Sequence, residues 1–331
     1  MTSLIPLTRR RLLGTAAAAF GLSAYALRPA VAQTTDVALQ LSWLHSVQFA
    51  GSYIAKQKGY WADQGLNVSL NTGGPNAPVE PPVVAGTALM GISAADYASA
   101  AVAQGAPFKI IAVAMKKNPF AIASLPANPV RTPADLVGKR IGMAVANTPV
   151  LRALCALNGV DIAGIEIVPT QYDAAPLVNG QVDCLLCWAT DLPVAMAIQG
   201  IDSITMLMAD YGYALHSQAY IVTDDSIANR RSEIVGLLRG EVQGWEDYSA
   251  GTDAAAALTV AMFPDAGLDL ATQQEQARRL RPLMFPDGDE TRFGWFTDES
   301  VAANIETLAL LDRGTNADLW DRSLLEEAYA G

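Results

Sequence analysis

Histidine is nearly missing from this chain: there are two, His45 and His216, in 331 residues. Two histidines so far apart offer no metal-ligand spacing. A Gly-x-Ser-x-Gly nucleophile elbow and a Walker loop are also missing, and the Gly73-Gly74-Pro75 turn lacks the lysine and helix frame of a phosphate loop. Cysteine is scarce and odd in number: Cys155, Cys184 and Cys187. Cys184 and Cys187 fall in a strand-like run, where residues three apart point to opposite faces, so they read as small buried hydrophobes and not as a redox pair or metal clip. Basic residues are outnumbered, 22 against 33 acidic, giving a formal charge of −11. Such a surface is a poor partner for nucleic acid or anionic lipid. Repeats at solenoid periods are absent, and no apolar run beyond the N-terminus is long enough to span a bilayer.

What is present begins with an export label. Thr8-Arg9-Arg10-Arg11-Leu12-Leu13 precedes the apolar run Ala16 to Leu27 and then Ala30-Val31-Ala32. A twin-Arg pattern, a short apolar region and a small-x-small site read as a signal peptide over residues 1–32, cut before Gln33 and delivering the protein to the periplasm. The run is short of the roughly 20 residues a spanning helix needs. The residue immediately after the expected cleavage site is Gln33 and not cysteine, so a lipid anchor is not indicated. Removal takes four arginines and no acid, moving the formal charge from −11 to −15. The remainder exceeds a usual single core and suits two lobes.

Short apolar strand candidates alternate with helical stretches: 37–42, 67–71, 89–92, 109–115, 121–125, 140–145, 165–169, 183–188, 203–208 and 218–223. Helices are expected near 48–63, 78–86, 94–104, 133–137, 149–158, 174–180, 192–199 and 230–249. The alternation predicts an α/β chain with largely parallel sheets. The proline-rich segment 125–133 breaks the pattern, and the part after residue 223 is mainly helical, with too few strands for a sheet of its own. The expectation is a discontinuous first lobe, 33–124 and 218–331, with a second lobe, 125–217, inserted. Two crossing strands would form the hinge.

Ligand-facing groups in such a protein come from the carboxyl ends of strands and from helix N-termini. That rule selects Trp43, His45 and Phe49 after the first strand, two rings to stack on a flat solute and an imidazole to bond its edge. It selects Ser93, an N-cap candidate, and Asp96 at the next strand exit, and Asn147 and Thr148 before Pro149 in the second lobe. Trp188 and Asp191 follow at 188–193, with Tyr211 in Asp210-Tyr211-Gly212 at the second crossing. Core packing for the rings and ordinary helix capping for the polar groups stay open as alternatives.

Five pieces occur in order between 36 and 97: Asp-Val-Ala-Leu-Gln-Leu-Ser-Trp-Leu-His (36–45), Phe-Ala-Gly-x-Tyr-x-Ala-Lys-x-Lys-Gly-Tyr-Trp (49–61), Gln-Gly-Leu-Asn-Val (64–68), Gly-Gly-Pro-Asn (73–76) and Val-Ala-Gly-Thr-Ala-Leu-Met-Gly-Ile-Ser (84–93). Their order and spacing resemble the periplasmic solute-binding proteins related to the thiamine-pyrimidine synthases. The resemblance implies a type II periplasmic binding fold, two α/β lobes on a two-strand hinge, and a monomer. It would capture a planar solute, a thiamine pyrimidine precursor or a riboflavin-type molecule, and dock on an ABC permease with a cytoplasmic ATPase. No cofactor is implied. In the family's Thr-Asn-Glu-Pro type turn, Asp191 takes the Asn place and Leu192 the acidic place, which weakens the case for an aminopyrimidine. The pyridoxal-phosphate-consuming synthases of the superfamily need a lysine where Ser93 stands and a histidine where Tyr97 stands, and a Schiff base cannot form without an amine. Binders of alkanesulfonate, taurine or nitrate share the broader fold, but would need convergent arginines or free helix N-termini, and Arg152 is the nearest candidate.

Overall fold

The computed structural model describes residues 34–330 apart from 75, 76, 287, 289–291 and 315. The signal-peptide reading, and the Pro75-Asn76 end of the fourth piece, lie outside the described residues.

Ten strands form two five-stranded sheets among the described residues. The first sheet runs β2 (Leu66–Asn71), β1 (Thr35–Gln40), β3 (Met90–Ala94), β10 (Ser217–Thr223) and β4 (Phe108–Met115). The second runs β7 (Glu166–Pro169), β6 (Arg140–Met143), β8 (Cys184–Trp188), β5 (Phe120–Ser124) and β9 (Ile204–Leu207). Each sheet has a parallel trio and one antiparallel strand, β10 in the first and β5 in the second. Burial follows position in the sheet: β10 is buried at all seven residues, whereas the edge strand β2 alternates buried and exposed. A central strand covered by helices on both faces needs a continuous apolar run; an edge with one wet face does not.

Strand pairing corrects one sequence expectation. Residues 120–124 were assigned to the first lobe, but β5 pairs with β8 and β9 of the second sheet. The chain therefore crosses between Met115 and Phe120, and recrosses between Leu207 and Ser217. Asn118, 3% exposed, ties the crossings together: its Nδ2 donates to the Leu215 carbonyl at 2.8 Å and its Oδ1 accepts from the Phe120 amide at 3.0 Å. Lys117 and Asp210 pair across the same two segments at 2.7 Å.

The first sheet is backed by the helix Arg231–Ala250, which lies on the helix Ala50–Lys58 at a glycine-lined contact. A Cβ on Gly244 would stand 2.1 Å from the Gly51 carbonyl oxygen, so the two backbones approach as only glycine allows. Trp245 fills the space beside it, fully buried and stacked on Phe293 with ring centroids 5.5 Å apart. Beneath it lies Glu241, also fully buried. Its carboxylate accepts from the Ser52 hydroxyl at 2.7 Å, the Tyr220 hydroxyl at 2.7 Å and the Trp245 indole N–H at 3.0 Å. Desolvation outweighs these three donors and raises the carboxyl to about 7.

The three cysteines are buried and unpaired, and burial pushes the Cys184 thiol up to about 12. Such thiols are poor nucleophiles and poor metal ligands. No helix among the described residues is long and apolar enough to cross a membrane, and no His/Cys/Asp/Glu group among them could hold a metal ion.

Candidate functional site

The carboxyl ends of the parallel strands carry a set of aromatic side chains that the fold leaves uncovered. Trp43, three residues past β1, is 45% exposed; Tyr97, past β3, is 62% exposed; Tyr172, past β7, is 75% exposed. Burying such rings against one another would gain roughly 1.5–3 kcal/mol each, so aromatic exposure at strand exits of both halves points to a partner outside the chain. Tyr97 follows a strand of the first sheet and Tyr172 a strand of the second. Sequence reasoning did not select either as a ligand contact. The available signal was an aromatic just past a strand's carboxyl end, the same signal that selected Trp43.

Between the halves, Ser46, Val47 and Gln48 and the helix Leu270–Met284 face Thr190 and Asp191 around a small cavity of about 20 Å³, room for one water by the usual measure. A polar chain runs through this wall. The Val47 amide donates to Gln273 Oε1 at 2.7 Å, Gln273 Nε2 donates to Gln276 Oε1 at 2.9 Å, and Gln276 Nε2 donates to Asp191 Oδ1 at 3.4 Å. Asp191 is exposed on one side. The protein around its other side raises the carboxyl to about 6 by desolvation, while water on the open side opposes that rise. Trp188, one turn earlier, is half-buried, edge-on to Phe120 at 6.2 Å and packed against the first-sheet core.

A larger depression of about 400 Å³ opens at the ends of β6 and β7, lined by residues 144–146 and 169–172. Asn147, just beyond the lining, caps the helix Thr148–Leu157 in position but makes no side-chain capping bond, and its Nδ2 is buried without a partner. The Thr148 hydroxyl donates backwards to the Val145 carbonyl at 2.7 Å.

Other selected residues are held by the protein itself. Phe49 is fully buried in the first core, edge-on to Tyr53, and is not in the crevice: the turn Val47–Phe49 points it inward under the following helix. His45 is stacked on Phe263 with centroids 3.6 Å apart, and its Nδ1 is 3.0 Å from the Tyr53 hydroxyl. Burial lowers its pKa. Ser93 is not a helix cap. It lies within β3, 6% exposed, with its hydroxyl donating to the Glu80 carboxylate, and Ala94 takes the N-cap place. Asp96 sits in the first turn of the next helix; burial raises its carboxyl and Arg313 opposes that rise. Arg313, which sequence reasoning did not select, is therefore a cation near this strand exit. Tyr211 is tied down as a turn residue, its hydroxyl donating to the Arg131 carbonyl at 2.6 Å and its own carbonyl accepting from Asn158.

The sequence profile of the NMT1/THI5-like family matches residues 46–255, from the turn after β1 through the glycine-lined helix pair. The chain belongs to the NMT1/THI5-like family. Over 257 residues it is 26% identical to the riboflavin-binding protein RibY of Chloroflexus aurantiacus, covering 75% of this chain and 72% of that one. It is 21% identical over 248 residues to the formylaminopyrimidine-binding protein of Halalkalibacterium halodurans, covering 72% and 74%. Among solved structures, the periplasmic aliphatic sulphonate binding protein SsuA of Escherichia coli superposes with a TM-score of 0.64 at 16% identity, over 84% of this chain and 91% of that one. The fold is that of the type II periplasmic binding proteins, as expected. It also carries an enzyme: the desulfurization enzyme DSZB superposes with a TM-score of 0.62 at 14% identity, over 89% and 99% of the two chains.

Proposed function

We propose that this NMT1/THI5-like protein is the solute-capturing component of an ABC importer, exported to the periplasm, and that it closes two lobes on a planar heteroaromatic molecule. The observation that carries the reading is the exposure of Trp43 at the exit of β1, together with Tyr97 and Tyr172 at the exits of β3 and β7. Indole and phenol faces stack on flat rings, and they are arranged here on both halves. The riboflavin-binding and formylaminopyrimidine-binding relatives support a ring-shaped solute. Closure about the crossings at 116–119 and 208–216 would bring the strand exits of both halves onto the solute, and a permease with a cytoplasmic ATPase would receive it.

Capture without chemistry is favoured over the synthase reading by Ser93. Its hydroxyl is buried against Glu80 where the synthases would place an amine. The carboxyls of Asp96 and Asp191 near the strand exits disfavour a compact anion such as a sulfonate or nitrate, which needs convergent cations. A thermal-shift screen against riboflavin, formylaminopyrimidine, taurine and nitrate tests the proposal. A planar solute at 100 times its Kd adds about 2.7 kcal/mol to stability. Stabilisation by taurine or nitrate alone, or turnover of a bound pyrimidine, would reject it.

A further inference from the structure

The geometry points to Gln218 as a positioning residue for solute capture: from a strained bulge just past the second crossing, its side chain holds the crevice wall that follows β1. The inference rests on the capture reading above and is independent of which solute is taken.

The bulge shows in the strand register. On the β3 side Ser217 stands opposite Ala94 and Ala219 opposite Ser93, so Gln218 is an extra residue. On the β4 side the same two residues stand opposite Met115 and Val113, and the ladder there is regular. Gln218 has φ +48°, in the left-handed region that glycine enters freely and that a longer side chain enters only at a cost. A bulge that merely bent the strand would ask for glycine. What glutamine adds is an amide. Gln218 is 2% exposed, and its Nε2 donates to the Gln48 carbonyl at 3.1 Å, reaching past β3 to the turn Val47–Phe49 that follows β1.

That turn is where the first half meets the second. Gln48 lines the small cavity opposite Thr190 and Asp191. The Val47 amide is held from another side by Gln273, and the Trp43 carbonyl accepts from the Gly73 amide at 3.0 Å. The loop that presents Trp43 is thus tied at three points, and Gln218 is the tie that comes from a crossing. The bulge also touches the exit of β3, where the His216 carbonyl accepts from the Ala95 amide at 3.2 Å. Residues held in costly backbone by their surroundings cluster at ligand clamps and switches. Here the backbone that must rotate during closure ends at the residue that fixes the receiving wall.

Two variants separate side chain from backbone. Gln218→Met keeps the length and the strain but donates nothing; Gln218→Gly keeps the bulge and frees its backbone. In both, the amides of residues 45–49 should exchange with solvent roughly tenfold faster. Affinity should fall roughly fivefold, because fewer molecules present a competent wall; calorimetry reads this with whichever of riboflavin, formylaminopyrimidine, taurine and nitrate the unaltered protein binds. Gln218→Gly should melt above Gln218→Met, since only glycine sheds the cost of the positive φ, and it decides alone if Gln218→Met does not fold. Unchanged exchange at 45–49 would overturn the assignment. So would faster exchange with unchanged affinity, the result expected of a contact that serves the fold alone. A fivefold loss read with taurine or nitrate, when neither ring binds, would uphold Gln218 and reject the flat-ring reading. If none of the four binds, the exchange result alone decides.

Discussion

Gln276 donates to Asp191 across 3.4 Å, joining a helix of the first-sheet half to the turn that follows β8 in the second. Asp191 was selected from sequence as a ligand contact, yet here its carboxylate meets the opposite wall of the crevice. The contact would favour the closed arrangement before any solute arrives, and apparent affinity scales with the fraction of protein already competent to bind.

Gln276→Ala should therefore loosen the closed state without touching the stacking faces. A partly exposed hydrogen bond of this length is worth about 0.5 kcal/mol, the low end of the usual range, so solute affinity should fall about twofold. Small-angle scattering of the solute-free protein should show a larger radius of gyration. Unchanged scattering and unchanged affinity would mean that the bond does not hold the halves together.

Glu241 makes stability depend on pH. Its folded carboxyl is raised to about 7 by burial, against an ordinary value of 4.5 in the unfolded chain. The folded protein therefore keeps a proton that the unfolded chain releases, and stability is greatest below about 4.5, falls as pH rises through 7, and then levels. The full change is on the order of 3 kcal/mol. Glu241→Gln preserves an acceptor for Trp245 and Tyr220 and a donor for Ser52, so it should flatten this segment of a melting-temperature-versus-pH curve. Glu241→Leu would take the acceptor from the buried Ser52 and Tyr220 hydroxyls and should cost about 1–3 kcal/mol at every pH. A Glu241→Gln curve that keeps the slope would show that another group titrates.

The helix pair at Gly51 and Gly244 should tolerate nothing larger. Gly244→Ala puts a methyl group 2.1 Å from the Gly51 carbonyl oxygen, which is rigid backbone and cannot swing aside. Overpacking of this kind costs typically about 1–3 kcal/mol, and a urea midpoint shifted downward by that amount checks it. Gly159→Ala has open space around it, so its penalty should come from a φ of +65° alone and be smaller.

The alternation of apolar runs and helical stretches placed all ten described strands, because strand burial follows local composition closely. Sheet membership was less legible. Phe120–Ser124 is small and apolar enough for the centre of either sheet, and its partners β8 and β9 lie far along the chain. At the site, Trp43 and Phe49 could not be separated by residue type. One ring faces water and the other is fully buried because the turn Val47–Phe49 rotates it under the next helix. Ser93 looks like a cap since a helix follows, but β3 extends two residues past the expected end at 92 and gives the cap place to Ala94. Tyr172 is not among the residues selected from sequence, and its place beside the ends of β6 and β7 shows only once the two strands are seen to pair.

The most direct measurement is titration calorimetry of riboflavin and formylaminopyrimidine into the purified protein and its Trp43→Ala variant, with a thermal melt of each. Trp43 is 45% exposed, so the variant should melt within a few degrees of the unaltered protein, while its affinity for the planar solute should fall at least tenfold, about 1.4 kcal/mol. Equal affinity in the two proteins, or heats with nitrate or taurine and none with any flat ring, would contradict the account.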